Sequence, residues 1–240
     1  MSLRGLTRAM SAMKDGVVHG WAETARVLGL REDLYANPLH RPLERPVTVV
    51  LVGAGHRGTI YANFARRHPA EMRVVAVAEP NRHRRDRLAR LHRIPPECCF
   101  DSWEAVFDST RRADAAIIAT PDALHSGPCL RALDLGYDVL LEKPIAPTEA
   151  ECRAILAKAQ ATGRLVGVCH VLRYTPYFRE IKALLDKGLI GELISMQHLE
   201  PIEHVHMSHS YVRGIWRNSA SSTPIILAKS CHDTDIIRWL

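Results

Sequence analysis

Near the end of the sequence, in AKSCHDTDIIRWL, the seven positions from Lys229 to Asp235 carry an amine, a thiol, an imidazole and two carboxylates. If the stretch is helical from about Ser230, His232 lies one turn from both Lys229 and Asp235 and shares a face with them. An imidazole, with an ordinary pKa near 6.5, can take a proton near neutral pH without help from its surroundings. An amine needs its pKa brought down from about 10.4 to do the same. Lys229 and Asp233, four residues apart, also have the spacing of a surface ion pair.

A second loaded stretch is LVGAGHRGTIYANFA, which sets Gly53, Gly55 and Gly58 in the G-x-G-x-x-G spacing after a β-branched run and before a helical pattern. In that context the first glycine permits the tight turn and the second lets a pyrophosphate approach the backbone. The third lets helix and strand pack closely, and the helix N-terminus adds free N–H groups and partial positive charge. The run RVVAVA ends at Glu79, twenty-one residues beyond Gly58, where a dinucleotide fold needs an acid for the adenosine ribose. That carboxylate would repel a 2′-phosphate, which favours NAD. Arg82, three residues on, could bind such a phosphate, which keeps NADP open. His56 and Arg57 complete the loop's candidate cofactor contacts.

Two further loops follow strand-like runs, ATPDALH at 119–125 and LEKPIAPT at 141–148. Ligands of wound sheets sit beyond the carboxyl ends of the strands, so Thr120, Pro121, His125, Glu142 and Lys143 are candidates for the cofactor cleft. Pro144 biases Lys143 towards extended backbone, from which its amine can reach past the sheet edge to a nicotinamide. Another apolar run ends in VCHVLRYTPYF, where His170, Arg173 and Tyr177 are candidates for contacting substrate.

The elements that must hold these residues alternate. Short apolar runs at 47–52, 73–78, 114–120, 138–143 and 165–171 are separated by helical patterns. One of these is expected from Asp122 as N-cap to Gly136, and another is opened by the capping box of Thr148 and Glu151. Strands with no polar side belong to a parallel sheet covered on both faces. The expected fold is α/β: a doubly wound Rossmann sheet over 47–168, followed by the beginning of a second α/β domain with an open sheet over 169–240. There PYFREIKALLDKGLIG reads as an amphipathic helix and ELISMQHLEPIEHV as a strand. Residues 1–46, ending in the proline-rich NPLHRPLERP, are expected to be an extension and linker.

Composition narrows the class. The 240 residues are 47% hydrophobic and 24% charged, the formal net charge is +6, and no apolar stretch is long enough to span a bilayer. The basic excess comes from arginine runs without interleaved aromatics, which speaks against single-stranded nucleic acid as a partner. Six cysteines show no C-x-x-C pair, as expected for reduced thiols of a cytoplasmic enzyme. His204, His206 and His209 cluster with Glu203, but no thiolate or further carboxylate completes a metal pattern, and no metal site is expected.

Taken in order, VGAGHRG, Glu79, ATPDALH, LEKPIA and HDTDIIRWL resemble the glucose-fructose oxidoreductase and inositol dehydrogenase family, Gfo/Idh/MocA, over about residues 47–240. The resemblance implies a Rossmann domain and an α/β domain whose open sheet mediates homo-oligomerisation. It also implies hydride transfer between a nicotinamide and a sugar, polyol or related hydroxylated compound held between the domains. Lys143 falls on the family lysine and His232 on its histidine, with Asp235 one turn later, and His170 falls on a cleft-lining position. In this frame His232 is the expected base, Asp235 orients it, Lys143 polarises the substrate oxygen and Lys229 contacts substrate. The family usually has an aspartate four residues before the histidine; here the position is Ala228. An NAD-dependent glycosidase and a non-catalytic dinucleotide-binding protein are the alternatives. Family members continue with further strands of the second domain, so the chain is expected to be a fragment or an early-terminated product.

Overall fold

Val49 and Leu51 face one side of the first strand and Val50 and Val52 the other, and all four are buried. Each pair belongs to a different apolar core, as the period-two geometry of a strand covered on both faces requires. The computed structural model describes residues 44–218 and 222–240. The expected extension and linker at 1–46 therefore lie outside the described residues, except for their last three positions.

The described chain divides into two units, Leu43–Cys169 with Pro201–Cys231, and His170–Glu200 with His232–Leu240. The first holds a six-stranded sheet, β1 (Val47–Val52), β2 (Met72–Ala78), β3 (Cys99–Phe100), β4 (Ala115–Ile118), β5 (Asp138–Leu141) and β6 (Val166–Val168), in the order β3-β2-β1-β4-β5-β6. All five pairings in this sheet are parallel. The order reverses between β1 and β4, which opens a crevice beyond their carboxyl ends.

One face of the sheet is covered by α1 (His56–Arg67) and α2 (Arg82–His92), through Ala62, Ala65 and Leu88. The other is covered by α3 (Trp103–Val106), α4 (Ser126–Asp134) and α5 (Glu149–Thr162), through Val106, Leu133 and Ile155. The predicted capping box is formed: the Thr148 hydroxyl accepts from Glu151 N while the Glu151 carboxylate accepts from Thr148 N.

Three expectations change. The helix predicted from Asp122 begins only at Ser126, after a 3-10 turn at Asp122–Leu124. Pro128 has no N–H, and the late start places it in the first turn, where no intrahelical partner is needed. Asp122 is therefore not an N-cap; its carboxylate instead accepts from the Thr223 hydroxyl at 2.5 Å. The predicted strand at 192–205 is not formed: residues 192–203 have no regular structure, and α7 (His204–Met207) follows. A strand needs a ladder partner for its backbone groups, and among the described residues none lies alongside. The two-residue β3 was not anticipated.

In the other unit α6 (Pro176–Asp186) has Pro176 at its first position, where a fixed φ favours helix entry. The segment Cys231–Trp239 is α9, starting one residue after the expected Ser230. In the first unit the short α8 (Ile225–Ala228) precedes it. No helix among the described residues is long and apolar enough to cross a membrane.

Candidate active site

The glycine loop has the geometry its spacing predicts. Gly53 turns at φ 91°, where a side chain would be strained, and a Cβ there would lie 2.5 Å from the Ala119 carbonyl oxygen. A Cβ on Gly58 would lie 1.9 Å from the Gly53 oxygen, so only glycine lets α1 start this close to the turn. At Gly55 an added Cβ would meet nothing within 4 Å. The backbone there faces open space at a helix N-terminus, a cradle for a phosphate group.

Glu79 closes the floor of this loop. It is buried, and its two oxygens accept from Ala54 N at 2.7 Å and Asn81 N at 3.0 Å. The acid thus joins the loop after β1 to the turn after β2. Arg82, the residue singled out for a 2′-phosphate, extends into solvent and pairs with Asp86 at 3.5 Å.

The loops after β4 and β5 are tied together by His125. Its ring is completely buried, with Nδ1 2.7 Å from the Pro144 oxygen and Nε2 3.0 Å from the Thr120 oxygen. The ring thus fixes one loop to the other. Thr120 donates its hydroxyl to the Leu124 oxygen, and Pro121 precedes the 3-10 turn.

Glu142 anchors the strand end. Its Oε1 accepts from Arg57 Nε at 2.7 Å and from the Tyr61 hydroxyl, and its Oε2 accepts from Lys143 N at 2.9 Å. Burial pushes its carboxyl up, but the hydrogen bonds from Tyr61 and Arg57 outweigh this and hold it below the ordinary range. Burial, reinforced by the Glu142 charge, raises Tyr61, which therefore stays a donor. Burial likewise pushes the neighbouring Cys169 up to about 11, leaving a protonated and unreactive thiol. Sequence reasoning found Arg57 and Glu142 but not Tyr61, whose signal was its position four residues after Arg57 on the same helix face.

Lys143, partly exposed, begins the turn that continues through a cis bond to Pro144. Its Nζ donates to the Ala228 oxygen at 2.7 Å. Ala228, where the resemblance led to an expected aspartate, thus supplies a backbone carbonyl to the lysine. Lys229 is the C-cap of α8 in the same unit.

The second unit holds five of the other candidates, His170, Arg173, Tyr177, His232 and Asp235. The rings of His170 and His232 meet edge to face, 5.8 Å between centroids. Arg173 donates from Nε and Nη2 to the two oxygens of Asp235 at 2.7 and 2.6 Å, and its guanidinium lies 5.8 Å from the Trp239 ring. Both Asp235 oxygens thus engage Arg173 rather than an imidazole. Tyr177 is exposed, its ring edge against Phe178. Asp233 meets His198 Nε2 at 2.8 Å, a pair not foreseen because His198 lies 35 residues away in sequence. His204 and His206, expected to share a strand face, stand on α7 instead, where two residues apart means different faces. His204 pairs with Glu203, His206 meets Ser210, and no three His, Cys, Asp or Glu residues among those described converge as metal ligands.

A parallel sheet reversing at β1 and β4, a glycine cradle at the reversal and a lysine-proline turn at the end of β5 define a dinucleotide-binding domain of the oxidoreductase type. Residues 47–170 match the oxidoreductase family with an NAD-binding Rossmann fold, GFO_IDH_MocA, and the chain belongs to that family. Over 195 residues it is 30% identical to inositol 2-dehydrogenase 1 of Saccharopolyspora erythraea, covering 81% of this chain and 54% of that protein. Myo-inositol 2-dehydrogenase from Lactobacillus plantarum superposes with a TM-score of 0.71 at 23% identity, over 81% of this chain and 56% of that one. Scyllo-inositol dehydrogenase from Lactobacillus casei, solved with bound NAD(H) and scyllo-inositol, superposes with a TM-score of 0.69 at 24% identity over the same shares. The chain spans about half the length of these relatives.

Proposed function

We propose that the protein is a nicotinamide-dependent oxidoreductase that moves a hydride between the cofactor and a hydroxyl-bearing carbon of a polyol or sugar. The observation that carries this reading is the open backbone cradle at Gly55, set in a family whose relatives above are inositol dehydrogenases. A bound nicotinamide supplies the hydride acceptor at its ring. Gly53, Gly55, His56, Arg57, Gly58 and Glu79 would hold the dinucleotide. Thr120, Pro121, His125, Glu142 and Lys143 would shape its nicotinamide end.

Two groups are assigned to the alcohol on their chemistry. Lys143 presents an ammonium, held by one hydrogen bond to a carbonyl, which can polarise the substrate oxygen. His232 takes the hydroxyl proton as the carbon gives up hydride and becomes a carbonyl. Arg173 is proposed to hold the Asp235 carboxylate beside this imidazole's helix, and His170, Tyr177 and Lys229 are proposed substrate contacts. None of the six cysteines is joined to another in a disulfide, which supports work in a reducing cytoplasm, and the family resemblance supports a homo-oligomer.

Fluorescence titration with NADH tests the first half of the reading, and NAD reduction with inositols and other polyols tests the second. Lys143→Ala and His232→Ala are expected to keep nucleotide binding and to abolish turnover. Unchanged turnover in both variants would overturn the assignment.

A further inference from the structure

Arg57 stands in the glycine loop, yet its side chain is turned to the end of another strand. Nε donates to Glu142 Oε1 at 2.7 Å and Nη2 to the Tyr61 oxygen at 2.6 Å, while the guanidinium carbon lies 5.0 Å from the centre of the Tyr61 ring. The Tyr61 hydroxyl donates in turn to the same Glu142 oxygen, and Oε2, the other one, accepts from Lys143 N. In the sheet β4 separates β1 from β5. The contact therefore links elements two strand spacings apart, about 10 Å, across the carboxyl ends of the sheet. Glu142 is 4% exposed, and a carboxylate so buried needs a compensating cation and a full set of donors. Arg57 is the one cation paired with it among the described residues, and the Lys143 ammonium is engaged elsewhere, by the Ala228 oxygen.

We infer that Arg57 and Tyr61 are positioning residues for Lys143: by filling one Glu142 oxygen they keep the other on the Lys143 N–H, and so fix the backbone from which the lysine reaches the substrate oxygen. This rests on the role given to Lys143 above. It gives the Arg57 side chain a duty other than holding phosphate, while its backbone N–H, near the start of α1, stays among the free donors of the cradle. Guanidinium groups bind phosphate through paired N–H donors, and here Nε and Nη2 are both engaged by the protein. Without Arg57 the ionised carboxylate must draw water or other donors. Its hold on the Lys143 N–H then loosens.

The test measures amide hydrogen exchange at Lys143 by NMR, NADH affinity by fluorescence and polyol turnover, in the whole chain and in Arg57→Met, Tyr61→Phe and Arg57→Met/Glu142→Gln. In Arg57→Met the Lys143 amide should exchange about tenfold faster and turnover at saturating NAD and substrate should fall about tenfold, with NADH affinity within about threefold of the parent. In the double variant no charge is left uncompensated, and the new amide can accept from Lys143 N while donating to the Tyr61 oxygen. Exchange and turnover should then return to within about threefold of the parent. Unchanged Lys143 exchange in Arg57→Met would sink the inference. So would a tenfold loss of NADH affinity that Glu142→Gln does not repair, since it would put the Arg57 side chain on the nucleotide phosphates. If the parent binds NADH and oxidises no polyol, the proposed reaction fails, and the exchange measurement still decides whether Arg57 holds the Lys143 backbone. Should Arg57→Met not fold, Tyr61→Phe, which removes one donor and no charge, is read by the same exchange, expected about threefold faster.

Discussion

The ammonium of Lys143 donates to the carbonyl oxygen of Ala228 at 2.7 Å. The contact joins the turn after β5 to the short helix α8, and the Thr223 to Asp122 hydrogen bond joins the same segment to the loop after β4. The lysine is thus a tether in the fold, and under the proposed function it is also a substrate contact. Lys143→Met, which keeps the stem and removes the charge, is expected to lower stability by about 1 kcal/mol, the usual net worth of a hydrogen bond. It should also abolish measurable polyol oxidation. Urea melts and turnover on the same preparation separate the two effects.

Gly55 and Gly58 have opposite requirements although three residues separate them. Gly55→Ala places its methyl in open space at φ −70°. The fold should tolerate it within about 0.5 kcal/mol, as surface substitutions generally are tolerated. Nucleotide affinity should fall at least about tenfold, because a methyl stands where a phosphate must approach. Gly58→Ala drives a methyl into the Gly53 oxygen and should cost about 3 kcal/mol or more, or prevent folding. Melting curves and NADH titration of the pair check both outcomes.

The nucleotide unit was legible because its signals are local. An apolar run ending in glycines, a helix opened by a capping box and a lysine followed by proline each carry their meaning within ten residues, and β1, β2, β4 and β5 lie where those runs are. β3 escaped because two residues, Cys99 and Phe100, are too few to show a period. The stretch at 192–205 has the apolar content of a strand, but pairing is a property of two segments, and content alone does not supply the second. Side-chain partners distant in sequence were illegible for the same reason. His125 was named as a candidate from the ATPDALH stretch, but only the fold reveals the two carbonyls flanking its ring. At Ala228 the sequence shows a missing carboxylate, and only the fold shows the main-chain oxygen that meets the lysine.

Acid should unfold the nucleotide unit through two carboxylates. Asp114 accepts from Arg45, Thr48 N and the Thr48 hydroxyl, tying the start of β1 to the start of β4. Those hydrogen bonds, the Arg45 side chain's first, hold its carboxyl well below its ordinary 3.8. Glu142 lies below its ordinary 4.5 because the Tyr61 and Arg57 hydrogen bonds overcome its burial. A carboxyl whose folded pKa is depressed contributes fully above its unfolded value and loses that contribution as pH falls through the folded one. The contribution of these two carboxylates should therefore be level from pH 7 to about 5 and then fall steadily below about 4.5. Asp114→Asn with Glu142→Gln should be less stable at pH 7 and should flatten the slope between pH 5 and 3. Urea midpoints measured across that range in both proteins decide it, and an unchanged slope would show that other groups control acid unfolding.

Arg173 and Asp235 form a bidentate pair between the turn that precedes α6 and the helix α9. The carboxylate side chain is 12% exposed and the guanidinium 36%, so the two partners are unequal. Removing the carboxylate leaves an arginine that water can reach, and removing the arginine leaves a largely dehydrated negative charge. Arg173→Ala should therefore cost more than Asp235→Asn, about 2 kcal/mol against about 1, because an uncompensated buried charge costs more than a lost surface contact. Arg173→Lys should recover only part of the loss, since an ammonium cannot reproduce two parallel N–H bonds or the stacking on Trp239. Because His232 stands on the same helix as Asp235, the order should reappear in turnover, with Arg173→Ala slower than Arg173→Lys at saturating substrate. Equal stability of the alanine and asparagine variants would mean that solvent already screens this pair, and that something other than the ion pair fixes the helix bearing the histidine.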